Sequence, residues 1–316
     1  MATKKSSASP RTLARLPHLN VSQSPRTLAK LPHLLVQKAT GEVEEFSREK
    51  LMNSLVRSGA GEELAEGIVN DIVVWIEGES EKFSNGAVPS RRIYSLAFTL
   101  LRKRTTSNAA RYKLKSAMME MGPTGHPFEH FAGEIYKALG YEVEVAKTLD
   151  GHCVTHEVDV IATRDNHQRF IECKYYQSTG KNANVQVPLY IRSRVDDIIR
   201  IRKERVEFKE YTFSGGIVTN TRFTEDAEKY GECCGLHLLS WDYPKGNGIR
   251  EIIDKFRLYP ITSLTSLSKS DKQILMDNGV VTCRQISQDP SLLDLLKAPN
   301  SKIDKIKAEM RDLAYQ

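Results

Sequence analysis

Residues 157–176 read EVDVIATRDNHQRFIECKYY. Two short runs, VDVIA and RFIECKYY, are rich in β-branched and aromatic residues and are separated by polar TRDNHQ, which predicts two strands joined by a turn. Side chains in a strand alternate faces. Glu157 and Asp159 then share one face and Val158 and Val160 the other, while Glu172 and Lys174 share a face with Ile171, Cys173 and Tyr175 pointing away. If the strands pair, Asp159, Glu172 and Lys174 converge. Buried charges are costly unless they are paired or bind a metal. Clustered carboxylates suit a hard divalent cation such as Mg²⁺, which takes oxygen ligands and keeps several waters. A lysine beside it can orient or deprotonate a water. The same triplet on a solvent-facing strand is an ordinary surface salt bridge, so the wider chain has to decide.

Upstream, Phe128, Phe131, Ile135 and Leu139 fall at helical spacing and predict a helix over 127–139 with a core-facing stripe. Downstream, the pattern predicts a helix around 184–206, a strand TFSGGIVT, a helix capped by Thr224, a strand LHLLSW and a helix near 247–257. This order gives an α/β unit with a mixed sheet flanked by helices. The segments FEHFAGEIYKALGYEVE, EVDVIA, FIECKYYQ and GGIVTNTRFTEDAEKYGECCGLHLLSW together resemble the Mrr-type catalytic domain of type IV restriction enzymes, within the PD-(D/E)xK nucleases, over about residues 124–258. The resemblance implies a restriction-endonuclease-like fold, Asp159 and Glu172 as metal ligands, Lys174 as the catalytic lysine and Glu129 as the upstream acid, with Glu134 next in line. It implies Mg²⁺ as cofactor and DNA as partner. The approach to the metal aspartate is DGHCVTHEVD, longer than the family's Gly-rich approach. Its His152 and His156 could serve as ligands or general bases, but lone loop histidines are ordinarily solvated. The segment RSRVDDIIRIRKERVEFK carries Arg192, Arg194, Arg200, Arg202, Lys203 and Arg205, either a helix for a nucleic-acid backbone or a solvated face.

The net charge of +6 divides unevenly, because residues 1–41 hold seven Lys/Arg and no acid while the rest balances 39 basic against 40 acidic residues. The tail repeats itself, SPRTLARLPHL at 9–19 and SPRTLAKLPHL at 24–34. Prolines bracket each copy and preclude a long helix. Residues 1–33 are therefore expected to form a flexible basic arm; a transit peptide is the lesser alternative.

From residue 34 the text LLVQKATGEVEEFSREKLMNSLVRSG predicts a β-hairpin with a Thr-Gly turn running into a helix capped by Ser47, with helices following at 62–78, 90–103 and from 107. Residues 82–119 hold nine Lys/Arg and no acid, a one-sign run that wants a polyanion. VQKATGEVEEFSREKL, VPSRRIYSLAFTLL and AARYKLKSA resemble the ATP-cone, a mostly helical nucleotide-binding regulatory domain, over residues 34–122. The resemblance implies ATP or dATP as allosteric ligand, contacts from Lys38, Glu44 and Lys50, and Ser47 where the family usually carries asparagine or aspartate. Arg91 and Arg111, from the basic run, complete the candidate set. It also implies a homo-oligomer controlled by nucleotide.

Residues 260–316 have the cadence of a small helical module, weakly similar to helix-hairpin-helix or SAM-like units but without the Gly-x-Gly hairpin that grips phosphate. No apolar run reaches the roughly 18 residues of a membrane span. Five scattered cysteines without C-x-x-C spacing fit reduced thiols in a cytoplasmic protein. The sequence thus describes an arm (1–33), an ATP-cone (34–122), a nuclease domain (123–259) and a helical module (260–316). The expected activity is nucleotide-regulated, Mg²⁺-dependent DNA cleavage in restriction of foreign DNA. The alternative is a catalytically silent DNA- or partner-binding module under nucleotide control. A reductase regulator is disfavoured, because no radical-enzyme domain or zinc ribbon accompanies the cone.

Overall fold

The structure, a computed structural model, describes residues 34–314 apart from 39, 84, 85 and 179. The basic arm lies outside the described residues. The chain opens with strands β1 (Leu35–Gln37) and β2 (Val43–Glu45), paired antiparallel as the hairpin pattern predicts. Ser47 caps helix α1 (Arg48–Arg57), its hydroxyl accepting the Lys50 N–H. Helix α2 (Glu62–Glu79) buries Ile68, Ile72 and Ile76 against α1 and helix α3 (Ser90–Arg104). Strand β3 (Ala87–Pro89), which the sequence reading missed, pairs parallel with β1. The helix expected from residue 107 is broken at Lys113 into α4 (Thr106–Tyr112) and α5 (Leu114–Met119).

The second unit begins with α6 (His126–Ala138) and continues into β4 (Glu142–Asp150), β5 (Thr155–Arg164) and β6 (His167–Lys174). The β5–β6 turn is two residues long. Asp165 and Asn166 both take positive φ, the twist that closes a tight hairpin. Then follow α7 (Gln186–Glu204), β7 (Thr212–Thr219), α8 (Glu225–Cys233), β8 (His237–Leu239) and α9 (Ile249–Phe256). The sheet runs β4-β5-β6-β7-β8, antiparallel through β6 and parallel from β6 to β8. The parallel strands send the ends of β6, β7 and β8 to one edge. Helices α7 and α8 cover one face; α6 and α9 cover the other. Phe128, Phe131 and Ile135 are fully buried on α6, as their spacing requires. Gly133 lets that helix settle on β4, because a Cβ there would stand 3.0 Å from Val145.

Helices α10 (Lys269–Asp277), α11 (Cys283–Gln288) and α12 (Asn300–Ala314) close the chain. Leu275, Val281, Ile286 and Ile306 join the same core as Phe128 and Ile171. The last segment is thus packed onto the α6 side of the sheet as part of one apolar body. Among the described residues, no helix is long and apolar enough to cross a membrane.

Candidate active site

The pairing of β5 with β6 ends at Val160↔Ile171, one residue short of Asp159 and Glu172. The Asp159 carboxylate takes over there, Oδ2 accepting the Cys173 N–H at 2.7 Å. On its other side β5 pairs with β4 at Val145↔Val160 and Lys147↔Val158, skipping Ala146, which stands across from Asp159 with φ 53°. A non-glycine residue held there stores strain of order 1 kcal/mol. The alternation of faces slips at this point. Val158 lies in the core under α7 and Val160 in the core under α6, which corrects the expectation that they share a face. The distortion re-aims Asp159, as such irregularities commonly do beside active sites.

Glu172 is 9% exposed. Its Oε1 meets Lys174 Nζ at 2.6 Å and its Oε2 meets Arg194 Nη1 at 2.5 Å. Arg194 also donates to the Glu157 carbonyl. Asp159 is less well compensated. Burial first, and then the charge of Glu172, push its carboxyl up to about 7, against the opposing Cys173 hydrogen bond. For Lys174, burial disfavours the ammonium, but the hydrogen bond and charge of Glu172 outweigh it and hold the pKa above the ordinary lysine value. Lys174 is therefore a cation and hydrogen-bond donor at neutral pH, suited to orienting a water or phosphate oxygen rather than deprotonating it.

The candidate residues divide by place. Asp159, Glu172 and Lys174 come together. Glu129, in the first turn of α6, holds His126 Nδ1 at 3.2 Å, and its charge reaches Asp159. Glu134 instead pairs with Lys137 at 2.8 Å. His156 is not a solvated loop residue: it lies on β5 with Nε2 2.8 Å from Asp197 Oδ2. Asp197 also accepts the N–H of Cys153 at 2.9 Å, and the His152 N–H bonds the Asp197 carbonyl at 3.0 Å. The hydrogen bond from His156, ahead of those from the loop, holds the Asp197 carboxyl well below the usual range. The whole approach to β5 is thereby pinned to α7. Gly151 is required there, since a Cβ would collide with Asp197 Oδ2.

In the N-terminal unit Lys38 and Lys50 converge on Glu44, at 2.8 and 3.4 Å, beside the Ser47 cap. Arg91 and Arg111 are not brought to them. Arg91 is exposed in the first turn of α3. Arg111 faces the C-terminal segment, its Nη2 donating to the Leu313 carbonyl at 3.3 Å and its guanidinium lying over the Tyr259 ring. Successive helix residues point about 100° apart, so Tyr112 can line the Glu44 cleft while Arg111 points elsewhere.

Sequence reasoning missed what TNTR at 219–222 does. Thr219 Oγ1 donates to the Lys174 carbonyl at 2.8 Å. Asn220, fully buried, accepts the Tyr176 N–H at 2.9 Å and donates to the Tyr176 carbonyl at 2.8 Å. These two residues fix the backbone that presents Lys174. Arg194 was visible only as one cation among many; nothing local distinguishes the one that turns inward. Replacing Asn220 with alanine orphans both backbone groups of Tyr176, at a cost of about 1–3 kcal/mol each. The expected result is a drop in thermal stability, read by denaturation.

The family described as restriction endonuclease, the Mrr catalytic type, matches residues 121–242, and the family described as AF1548-like, C-terminal, matches residues 259–314. An uncharacterized protein of Archaeoglobus fulgidus is 34% identical over 150 residues, covering 46% of this chain and 78% of that one. The crystal structure of a protein of unknown function, AF1548, superposes with TM-score 0.50 at 28% identity, covering 60% of this chain and 97% of that chain. The MspJI restriction endonuclease in complex with a 27-mer oligonucleotide aligns at TM-score 0.31 and 12% identity over 55% of this chain and 36% of that chain, too slight a likeness to argue from. The chain belongs to the family of the Archaeoglobus fulgidus protein, and its residues 121–242 form a restriction-endonuclease domain of the Mrr type.

Proposed function

We propose that this protein is a Mg²⁺-dependent DNA endonuclease under nucleotide control, acting in restriction of foreign DNA. The observation that carries the reading is the meeting of Asp159, Glu172 and Lys174 at the end of β6, with Asp159 raised to about 7. An undercompensated Asp159 beside Glu172 fits a hard cation that keeps its waters, with Glu172 exchanging part of its hold on Lys174 or Arg194 for the ion. Among the described residues no three His, Cys, Asp or Glu side chains group as a metal site, so the ion would rest on two carboxylates and its own waters. Asp159 and Glu172 would hold the ion, which when bound supplies electrostatic stabilisation to a phosphodiester under attack. Lys174 keeps its proton and donates to the water or a phosphate oxygen. Arg194 holds Glu172 in place from α7, and the Cys173 N–H does the same for Asp159. The test is cleavage of methylated and unmethylated plasmid with and without Mg²⁺. Binding without cleavage under every condition favours the silent DNA-binding module.

The same proposal reads residues 34–122 as an ATP-cone. Its support is the β1–β2 hairpin, the Ser47 cap and a cleft of about 220 Å³ walled by Glu44, Ser47, Lys50, Ser90 and Tyr94. Lys38 and Lys50 both pair with Glu44, and a triphosphate would compete for both. Nucleotide bound there can act only by favouring one arrangement of the chain over another. A change of assembly size is the expected output. Lys50→Ala should weaken ATP or dATP binding several-fold and blunt that change, measured by light scattering with bound nucleotide verified. An identical mass with and without nucleotide sinks the oligomer switch.

A further inference from the structure

A second cleft, of about 450 Å³, lies between the N-terminal helices and the nuclease unit. Its walls come from α1, from α4 and α5, and from the β8 end and α9. It backs onto the Glu44 cleft, the two sharing Ser54 and Tyr112 in their linings. Four cations face it: Arg57, Arg111, Lys115 and Arg250. Two acids face it as well, Glu251 and Asp254. Glu251 is taken by Arg250, whose Nε donates to it at 2.9 Å. That leaves three cations against Asp254.

Each of the three is positioned but undersatisfied. Arg57 Nε donates to the Asn53 carbonyl, which fixes the side chain without neutralising it. Arg111 is held by the Leu313 carbonyl and the Tyr259 ring, and its Nε is buried with no hydrogen-bond partner. Lys115 is half-buried; burial and then the charges of Arg222 and Arg250 weigh against its ammonium, only partly countered by Asp242. Cations assembled from separate elements repel one another. Such an arrangement is stabilised by an anion with several oxygens, and arginine forks match phosphate.

We infer that this junction is a phosphate-binding cleft, in which Arg57, Arg111 and Lys115 of the N-terminal helices grip phosphate groups against α9 of the nuclease unit. An occupant touches both units and so ties their relative placement to its own presence. The inference does not rest on the catalytic reading, because binding is measured without cleavage. Phosphate can come from a free polyphosphate or from the backbone of DNA, and the site chemistry is the same for both.

The test is calorimetry on the full chain without divalent metal, using inorganic triphosphate in one arm and a short DNA duplex in the other. The protein has two tryptophans. Trp241 lines the cleft, so Trp75→Phe leaves it as the sole reporter. The expected result is saturable binding accompanied by a change in Trp241 emission. Arg57→Gln with Lys115→Gln should weaken it by roughly tenfold or more, the scale of losing charge-assisted contacts. Lys115→Arg, which keeps the charge, should retain it. Saturation by triphosphate assigns the cleft to a free polyphosphate; a response to duplex alone assigns it to the DNA backbone. Failure of both probes to bind, or equal affinity in the double variant, overturns the inference.

Discussion

Asp159→Asn is expected to reduce Mg²⁺-dependent cleavage by at least about a thousandfold, the scale of losing a principal electrostatic contributor at a reacting phosphate, while duplex binding persists. The amide keeps an oxygen for the Cys173 N–H, so the backbone has no reason to move. Stability should change in the opposite sense to activity. The native carboxyl titrates near 7 rather than near its ordinary value of 3.8. Below pH about 4 both folded and unfolded states are protonated and the group is neutral to stability. As pH rises from there to 7, the unfolded chain ionises first and the native state loses ground. Above 7 the penalty is constant, at up to a few kcal/mol. Asp159→Asn removes that penalty, so the variant should melt higher than the parent at pH 8 and no higher at pH 4. Mg²⁺ should raise the melting temperature of the parent and leave the variant unchanged. Glu172→Ala is expected to be equally inactive but is a less clean test. It leaves Lys174 and Arg194 without their shared carboxylate, and breaking a buried pair costs about 3–5 kcal/mol. Wild-type cleavage by Asp159→Asn would remove the metal site from the mechanism.

Much of this site could be read in the sequence because its signals are local. The Asp-Asn turn, the β-branched run of β7 and the Thr224 cap each act within a few residues, and each produced the expected element. The inward charges on β6 announced themselves by sitting in an apolar strand. What escaped was set by tertiary partners. The slip at Asp159 depends on Ala146 of the neighbouring strand, and Arg194 is singled out by Glu172, not by its own helix. Asn220 is polar in a loop by sequence and fully buried in fact, because its partners are the backbone groups of Tyr176. The fold divides the basic run 82–119 among several surfaces: Lys113 pairs with Glu120 at 2.6 Å, Arg91 is exposed on α3, and Arg111 and Lys115 line the cleft against α9.

The largest expected stability effect lies away from the chemistry, at Glu309. This residue on α12 is 5% exposed. Its Oε1 accepts the Thr265 N–H at 2.7 Å and the Thr265 hydroxyl at 2.8 Å, and its Oε2 accepts the Ser266 N–H at 2.8 Å. Among the described residues neither backbone N–H has another acceptor, so Glu309→Ala leaves two donors orphaned in a half-buried turn. At about 1–3 kcal/mol each, the loss is roughly 2–6 kcal/mol, a large share of the 5–15 kcal/mol that typically separates folded from unfolded chains. Glu309→Gln tests whether the charge or the geometry matters. Its amide oxygen can serve Thr265, but its NH₂ then faces the Ser266 N–H, donor against donor, so about half the loss should remain. The damage should reach Arg111 but stop short of Lys174. Helix α12 carries the Leu313 carbonyl that holds Arg111, and α5 ends at Met119, whose carbonyl accepts the Tyr175 hydroxyl at 2.7 Å beside Lys174. Undocking α12 frees Arg111 from one anchor, while the link from Met119 to Tyr175 is untouched. Denaturant melts should therefore show a lowered midpoint for Glu309→Ala, with cleavage by the molecules that remain folded close to the parent's. A midpoint shift below about 1 kcal/mol would mean that water reaches the Thr265–Ser266 turn and takes over the lost bonds.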